Sequence, residues 1–150
     1  MIVNDTKIEM IGRVKLEVFD KDGVLKQVQD IPNLVVTSGK GYIASRMKDA
    51  TATAMSHMAI GTSSTAAAAG DTTLGTEVAR VALTSTNVSS NEIEYVATFG
   101  ANTPASAAAV VEAGLFNASS SGTLLCRTVF SVVNKGTSDS MTITWTVTVS

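Results

Sequence analysis

The chain has 150 residues and a mass of 15.5 kDa, enough for one domain that buries most of its apolar surface without disulfide or metal support. Its formal net charge of −2 arises from 11 basic and 13 acidic residues; no basic residues form a run, which removes the electrostatic basis for binding nucleic acid. Hydrophobic residues make up 45% and charged residues 16%, and roughly a quarter of the chain is Ser or Thr, a balance that points to β structure with a hydroxyl-rich surface.

The single cysteine, Cys126, excludes an internal disulfide and, set in a strand pattern, reads as a small buried thiol. The opening residues Met1-Ile2-Val3-Asn4-Asp5-Thr6-Lys7 contain no apolar signal core, and no apolar run is long enough to span a bilayer. The expectation is a protein not exported by a signal of its own.

In chain order, residues 8–19 alternate loosely, with Val14, Leu16 and Val18 on one face. Asp20-Lys21-Asp22-Gly23 then supplies turn residues before a second strand at 24–28, giving an N-terminal hairpin or arm within residues 1–32. Asp-x-Asp-Gly resembles the start of a calcium loop, but the later oxygen ligands and the closing glutamate are missing, so a plain turn is expected. After Ile31-Pro32, where proline disfavours a continuing central strand, residues 34–36 form a short extended piece. Ser38 is placed to cap a helix running to Ala50. Gly39 and Gly41 weaken its first turn, and Gly39-Lys40 lacks the flanking residues of a phosphate loop.

Residues 55–60 return to strand character and contain His57, the one histidine, which has no neighbouring ligands for zinc and no identifiable triad partners. Residues 61–76 are low in complexity and read as a long surface loop, a candidate contact with a partner and expected to be mobile in the free protein. A second hairpin is expected from 77–86 and 92–99, then a small-residue loop at 101–108 and a strand at 110–116, whose Gly114 signals a bulge or close backbone approach. Glu77 and Glu112 are the one pair of carboxylates to weigh for acid–base chemistry, and both read as solvated strand-edge charges. The Asn-x-Ser/Thr triplets at Asn4, Asn87 and Asn117 are expected by chance in so hydroxyl-rich a chain.

The clearest pattern is the last. In Met141-Thr142-Ile143-Thr144-Trp145-Thr146-Val147-Thr148-Val149 every second residue is apolar and each residue between is Thr, the period-2 signature of a half-buried strand. Residues 124–133 form its expected hairpin partner, with Gly136 supplying a positive-φ turn. In that partner Cys126 and Phe130 take one face while Leu125, Val129 and Val133 make the opposite face apolar too, so these three are the candidate interface with another subunit or the underside of a covering segment.

Taken in order, Asn33-Leu34-Val35-Val36-Thr37, Ala59-Ile60-Gly61-Thr62, Leu74-Gly75-Thr76-Glu77-Val78-Ala79-Arg80, Glu112-Ala113-Gly114-Leu115-Phe116-Asn117 and Arg127-Thr128-Val129-Phe130-Ser131 resemble segments of small virion proteins of tailed bacteriophages. Those proteins are described as head decoration, collar-like or tail-fibre-like. The resemblance covers residues 33–149 and implies a β-rich structural module, without cofactor or catalytic residues, that binds other virion subunits.

The expected fold is all-β, an antiparallel sandwich or jelly-roll-like barrel of about eight strands with one short helix. The expected function is capsid decoration (cement): a homotrimer on the outer surface of the shell, assembled in the host cytoplasm and bound to the major capsid protein. No enzymatic activity, cofactor, metal, nucleic acid or membrane is expected. A tail-fibre, collar or baseplate subunit is the alternative within the same class. A carbohydrate-binding module is the alternative from another, although one Trp, two Tyr and four Phe leave few aromatic side chains for a sugar platform.

Overall fold

The computed structural model describes residues 8–49 and 52–150. Asn4 and the expected helix end at Ala50 lie outside them. Nine strands and one helix follow in the order β1 (Met10–Phe19), β2 (Leu25–Val35), α1 (Thr37–Lys48), β3 (His57–Gly61), β4 (Glu77–Ala82), β5 (Ser85–Ser89), β6 (Glu92–Phe99), β7 (Ala108–Phe116), β8 (Leu124–Lys135) and β9 (Ser140–Val149). All the strands belong to one antiparallel sheet in the order β4-β3-β7-β8-β2-β1-β9-β6-β5.

That order forces the sheet to curl. β4 and β5 are its two edges, yet only Leu83 and Thr84 connect them. Nine flat strands would set the edges about 38 Å apart at about 4.8 Å per strand, whereas two linking residues span about 10 Å. The amide of Leu83 donates to Ser56 O at 2.9 Å and that of Thr84 to Val96 O at 2.7 Å, tying the link to both halves. The result is a strongly curled half-barrel and not the sandwich or jelly roll expected from the strand spacing. Hydrogen bonding runs unbroken from edge to edge, crossing from β2 to β8 at Leu34↔Arg127 and Val35↔Cys126, so no second layer separates.

The inner face is the main core. Val14, Leu16, Val18, Met58, Ile60, Phe99, Leu115, Met141, Ile143 and Trp145 are each at most 1% exposed. The facing read from the final Thr-alternating strand therefore holds, but its pairing does not. β9 lies between β1 and β6, and β8 between β7 and β2, because the β1–β2 hairpin inserts between them. Sequence neighbours are thus parted by the first hairpin, and Gly136, outside the positive-φ glycines, takes the side-chain carboxylate of Asp139 on its amide at 2.8 Å.

The Asp20 turn is a plain turn: Asp20 Oδ1 accepts the amides of Asp22 and Val24 at 2.9 Å, and Gly23 has φ 78°. Pro32 does not break β2. Its carbonyl accepts from Thr128 Oγ1 at 2.9 Å, so its missing N–H faces β8, where backbone pairing reaches only Leu34 and Val35. The run expected as one hairpin arm at 77–86 divides instead into β4, paired with β3, and β5, paired with β6.

Helix α1 begins two residues earlier than expected, with Val36 rather than Ser38 in the N-cap position and no side-chain cap, and Ser38 Oγ instead donates to Leu124 O at 3.0 Å. Gly39 is buried, and a Cβ there would collide with the Leu125 carbonyl, whereas a Cβ on Gly41 meets nothing. The first glycine is what allows the helix to dock on β8. Gly39→Ala is therefore expected to lower stability by at least about 1 kcal/mol through displacement of α1, while Gly41→Ala raises it by about 0.5–1 kcal/mol. Urea melts of the two variants measure this, and equal effects would contradict the close docking.

Candidate functional site

Residues 62–76 form no helix or strand, yet they are held firmly on the outer face of β3, β7 and β8. The reason is a buried ion pair. Glu112 on β7 and Arg127 on β8 both point outward under the loop, 0% and 2% exposed, with Arg127 Nε and Nη2 donating to Glu112 Oε2 at 3.0 and 2.9 Å. Nη1 donates to Asp71 Oδ2, and Nη2 donates also to the Thr65 carbonyl, both at 2.9 Å. Glu112 also accepts the backbone amides of Ser63 at 3.2 Å, Gly75 at 2.9 Å and Thr76 at 2.7 Å.

Both carboxylate oxygens are thus occupied by loop amides and by one planar cation, the arrangement that a charge removed from water requires. Burial alone pushes the Glu112 carboxyl up, but the donors from Thr76, Gly75, Arg127 and Ser63 outweigh it and hold the carboxyl below its ordinary value. Small residues make the approach possible. A side chain on Gly61 would collide with Glu112 and the Thr76 carbonyl, and one on Gly114 would meet Leu74 and Leu124 at 2.8 and 3.0 Å. Leu74 packs there with Val36, Ala59, Phe116 and Leu124 in a second apolar cluster. Beside it Arg80 lies 3.7 Å from the Phe116 ring centre, pairs with Glu77 and donates to the carbonyls of Ala118 and Ser121 at 3.0 and 2.9 Å.

Glu112 is therefore not a solvated strand-edge charge, and it is not paired with Glu77, which belongs to Arg80. The loop is pinned where sequence patterning suggested mobility. Its low complexity hides the anchors, since most of them are backbone amides with no side-chain signature. The signal that was present is a Glu inside the otherwise apolar β7 and an Arg directly after the apolar run Leu124-Leu125-Cys126 of β8.

The three candidate interface residues do not share a face. Leu125 and Val133 are 2% and 0% exposed in the main core, while Val129 is half-buried on the outer face beside Ala66 and Ala67 of the loop. The β7–β8 register shifts between Leu115 and Phe116 and again between Val110 and Glu112, and each shift moves the following residues to the other face. Simple alternation along β8 fails for that reason.

His57 is half-buried, with Nδ1 2.8 Å from Ser56 Oγ, a contact between adjacent residues. Among the described residues no group of three or more His, Cys, Asp or Glu is placed to hold a metal ion. Cys126 is wholly buried, which raises its thiol pKa far above the ordinary value. An open, mainly apolar groove of about 420 Å3 runs between α1 and the β5–β6–β9 end of the sheet, with Met47 and Val88 among its lining residues. No family model, curated protein or solved structure matches the chain.

Proposed function

We propose that the chain is a structural subunit of a tailed-bacteriophage virion, a decoration protein that binds the outer surface of the assembled shell. One observation carries this reading. The segments that resemble phage virion proteins, scattered between residues 33 and 131, come together as one physical unit. Ala59-Ile60-Gly61-Thr62 supplies β3 and the glycine against Glu112, Leu74-Gly75-Thr76 supplies the pinned amides, Arg80 stacks on Phe116, and Arg127 closes the ion pair. Segments that share one set of contacts are constrained together, which is what a resemblance confined to an ordered series of short motifs requires. A module whose longest loop is fastened by a buried charge network presents a fixed outer surface, suited to adhesion.

The test is co-sedimentation of the purified protein with shells assembled from the major capsid protein of the same genome, and in parallel with isolated tails. Saturable binding to shells at a fixed ratio to capsid subunits is the expected result. Binding to tails alone would replace this reading with a tail role, and binding to neither would overturn it.

A further inference from the structure

The sheet has two edges, and they are not alike. β4 is half-buried from Val78 to Val81 and faces β6 across the seam of the curl, whereas β5 pairs with β6 on one side only and all five of its residues are exposed. Edge strands are ordinarily guarded by Lys, Pro, a bulge or a covering segment, because unpaired backbone groups template another strand. Ser85-Thr86-Asn87-Val88-Ser89 has no charge and no proline, and its register with β6 runs without a shift. Val88, 69% exposed, stands at the rim of the apolar groove, and Met47, 77% exposed, is another of its lining residues.

We propose that β5 pairs antiparallel with β5 of a second copy of this chain, about a two-fold axis at Asn87, continuing the sheet from one copy into the next. The occupant follows from the edges. Among the described residues β5 is the open edge and β4 is closed by the curl, so a head-to-tail pairing that would build a filament has no second surface to use, while a β5–β5 contact closes on itself. The strand is self-complementary: a two-fold at Asn87 sets Thr86 opposite Val88 of the other copy and Ser85 opposite Ser89, with no like charges facing. The nearest acidic residues, Glu92 and Glu94, lie on β6, so the two β6 strands are about 14 Å apart, beyond a screening length of about 8 Å. The exposed side chain of Val88 gains lateral contact with Thr86 of the other copy in the pairing.

The experiment uses the full chain in three forms, with mass measured by light scattering and native mass spectrometry. The wild type is expected at twice the chain mass and Val88→Lys at the single-chain mass with an unchanged circular dichroism spectrum, since the lysine places like charges on both sides of the axis. Asn87→Cys is expected to form an intermolecular disulfide on mild oxidation, because residues facing across an antiparallel pair have Cα atoms about 4.5–5.5 Å apart, and Cys126 is buried. Thr137→Cys, on an exposed turn, is the control expected to remain unlinked. A wild-type monomer or trimer, a Val88→Lys variant that remains dimeric, or an Asn87→Cys variant linked no faster than the control would each overturn the proposal. Should Val88→Lys fail to fold, the cysteine pair decides.

Discussion

Replacing Arg127 with Met is expected to destabilise the protein by about 3–5 kcal/mol, the cost of leaving one partner of a buried ion pair without its counter-charge. In a domain of this length that corresponds to a fall of about 10 °C in the unfolding midpoint. The guanidinium contacts Glu112, Asp71 and the Thr65 carbonyl at once, so its loss orphans a fully buried carboxylate and frees the middle of the loop. Arg127→Lys is expected to recover only a small part, because an ammonium is a point donor and cannot present the planar fork. The pH dependence carries the same signature. The Glu112 carboxyl is held below its ordinary value, so its contribution is complete above that value and is lost as pH falls through the lowered one. Asp139, lowered by Lys26 and by the Gly136 amide, adds to the same acid limb. Thermal melts across that range, with hydrogen exchange at Ser63, Gly75 and Thr76, check the prediction. Unchanged protection of these amides in Arg127→Met would show that the ion pair does not hold the loop.

Trp145→Ala is expected to cost about 3–5 kcal/mol, among the largest single effects on the inner face, since it empties the volume of an indole from a wholly buried site. Val14 on β1 and Tyr95 on β6 flank it in register, and both are themselves buried in the same core. Thr144→Ala, on the half-exposed outer face of the same strand, is expected to cost well under 1 kcal/mol. Trp145→Phe is the informative third variant. Among the described residues the buried indole N–H has no hydrogen-bond partner, so Phe removes an unsatisfied donor as it removes volume, and its cost is expected to be well below that of Ala. Urea denaturation of the three variants gives the order Ala, Phe, Thr144→Ala. Equal stability of Trp145→Ala and Thr144→Ala would mean that β9 faces the other way.

Local pattern alone accounts for the β-strand character, the inward face of β9 and β1, the Asp20 turn, and the buried thiol at Cys126. These follow from alternation, branched side chains and turn chemistry, all of which act within a few residues. Which strands pair was decided only in the tertiary structure. The alternation in 124–133 and 141–149 is compatible with a hairpin, and nothing local in either strand announces that β1 and β2 lie between them. The half-barrel likewise depends on a two-residue link between strands at opposite edges of the sheet, a constraint that acts only once the strand order exists. Glu112 and Arg127 show the same division. Each is legible as a charge beside apolar strand residues, but burial becomes tolerable only when a distant loop delivers Asp71, the Thr65 carbonyl and the three amides to the same place. The faces of Leu125, Val129 and Val133 were settled last, because a register shift is a property of two paired strands and leaves no mark on the alternation of one.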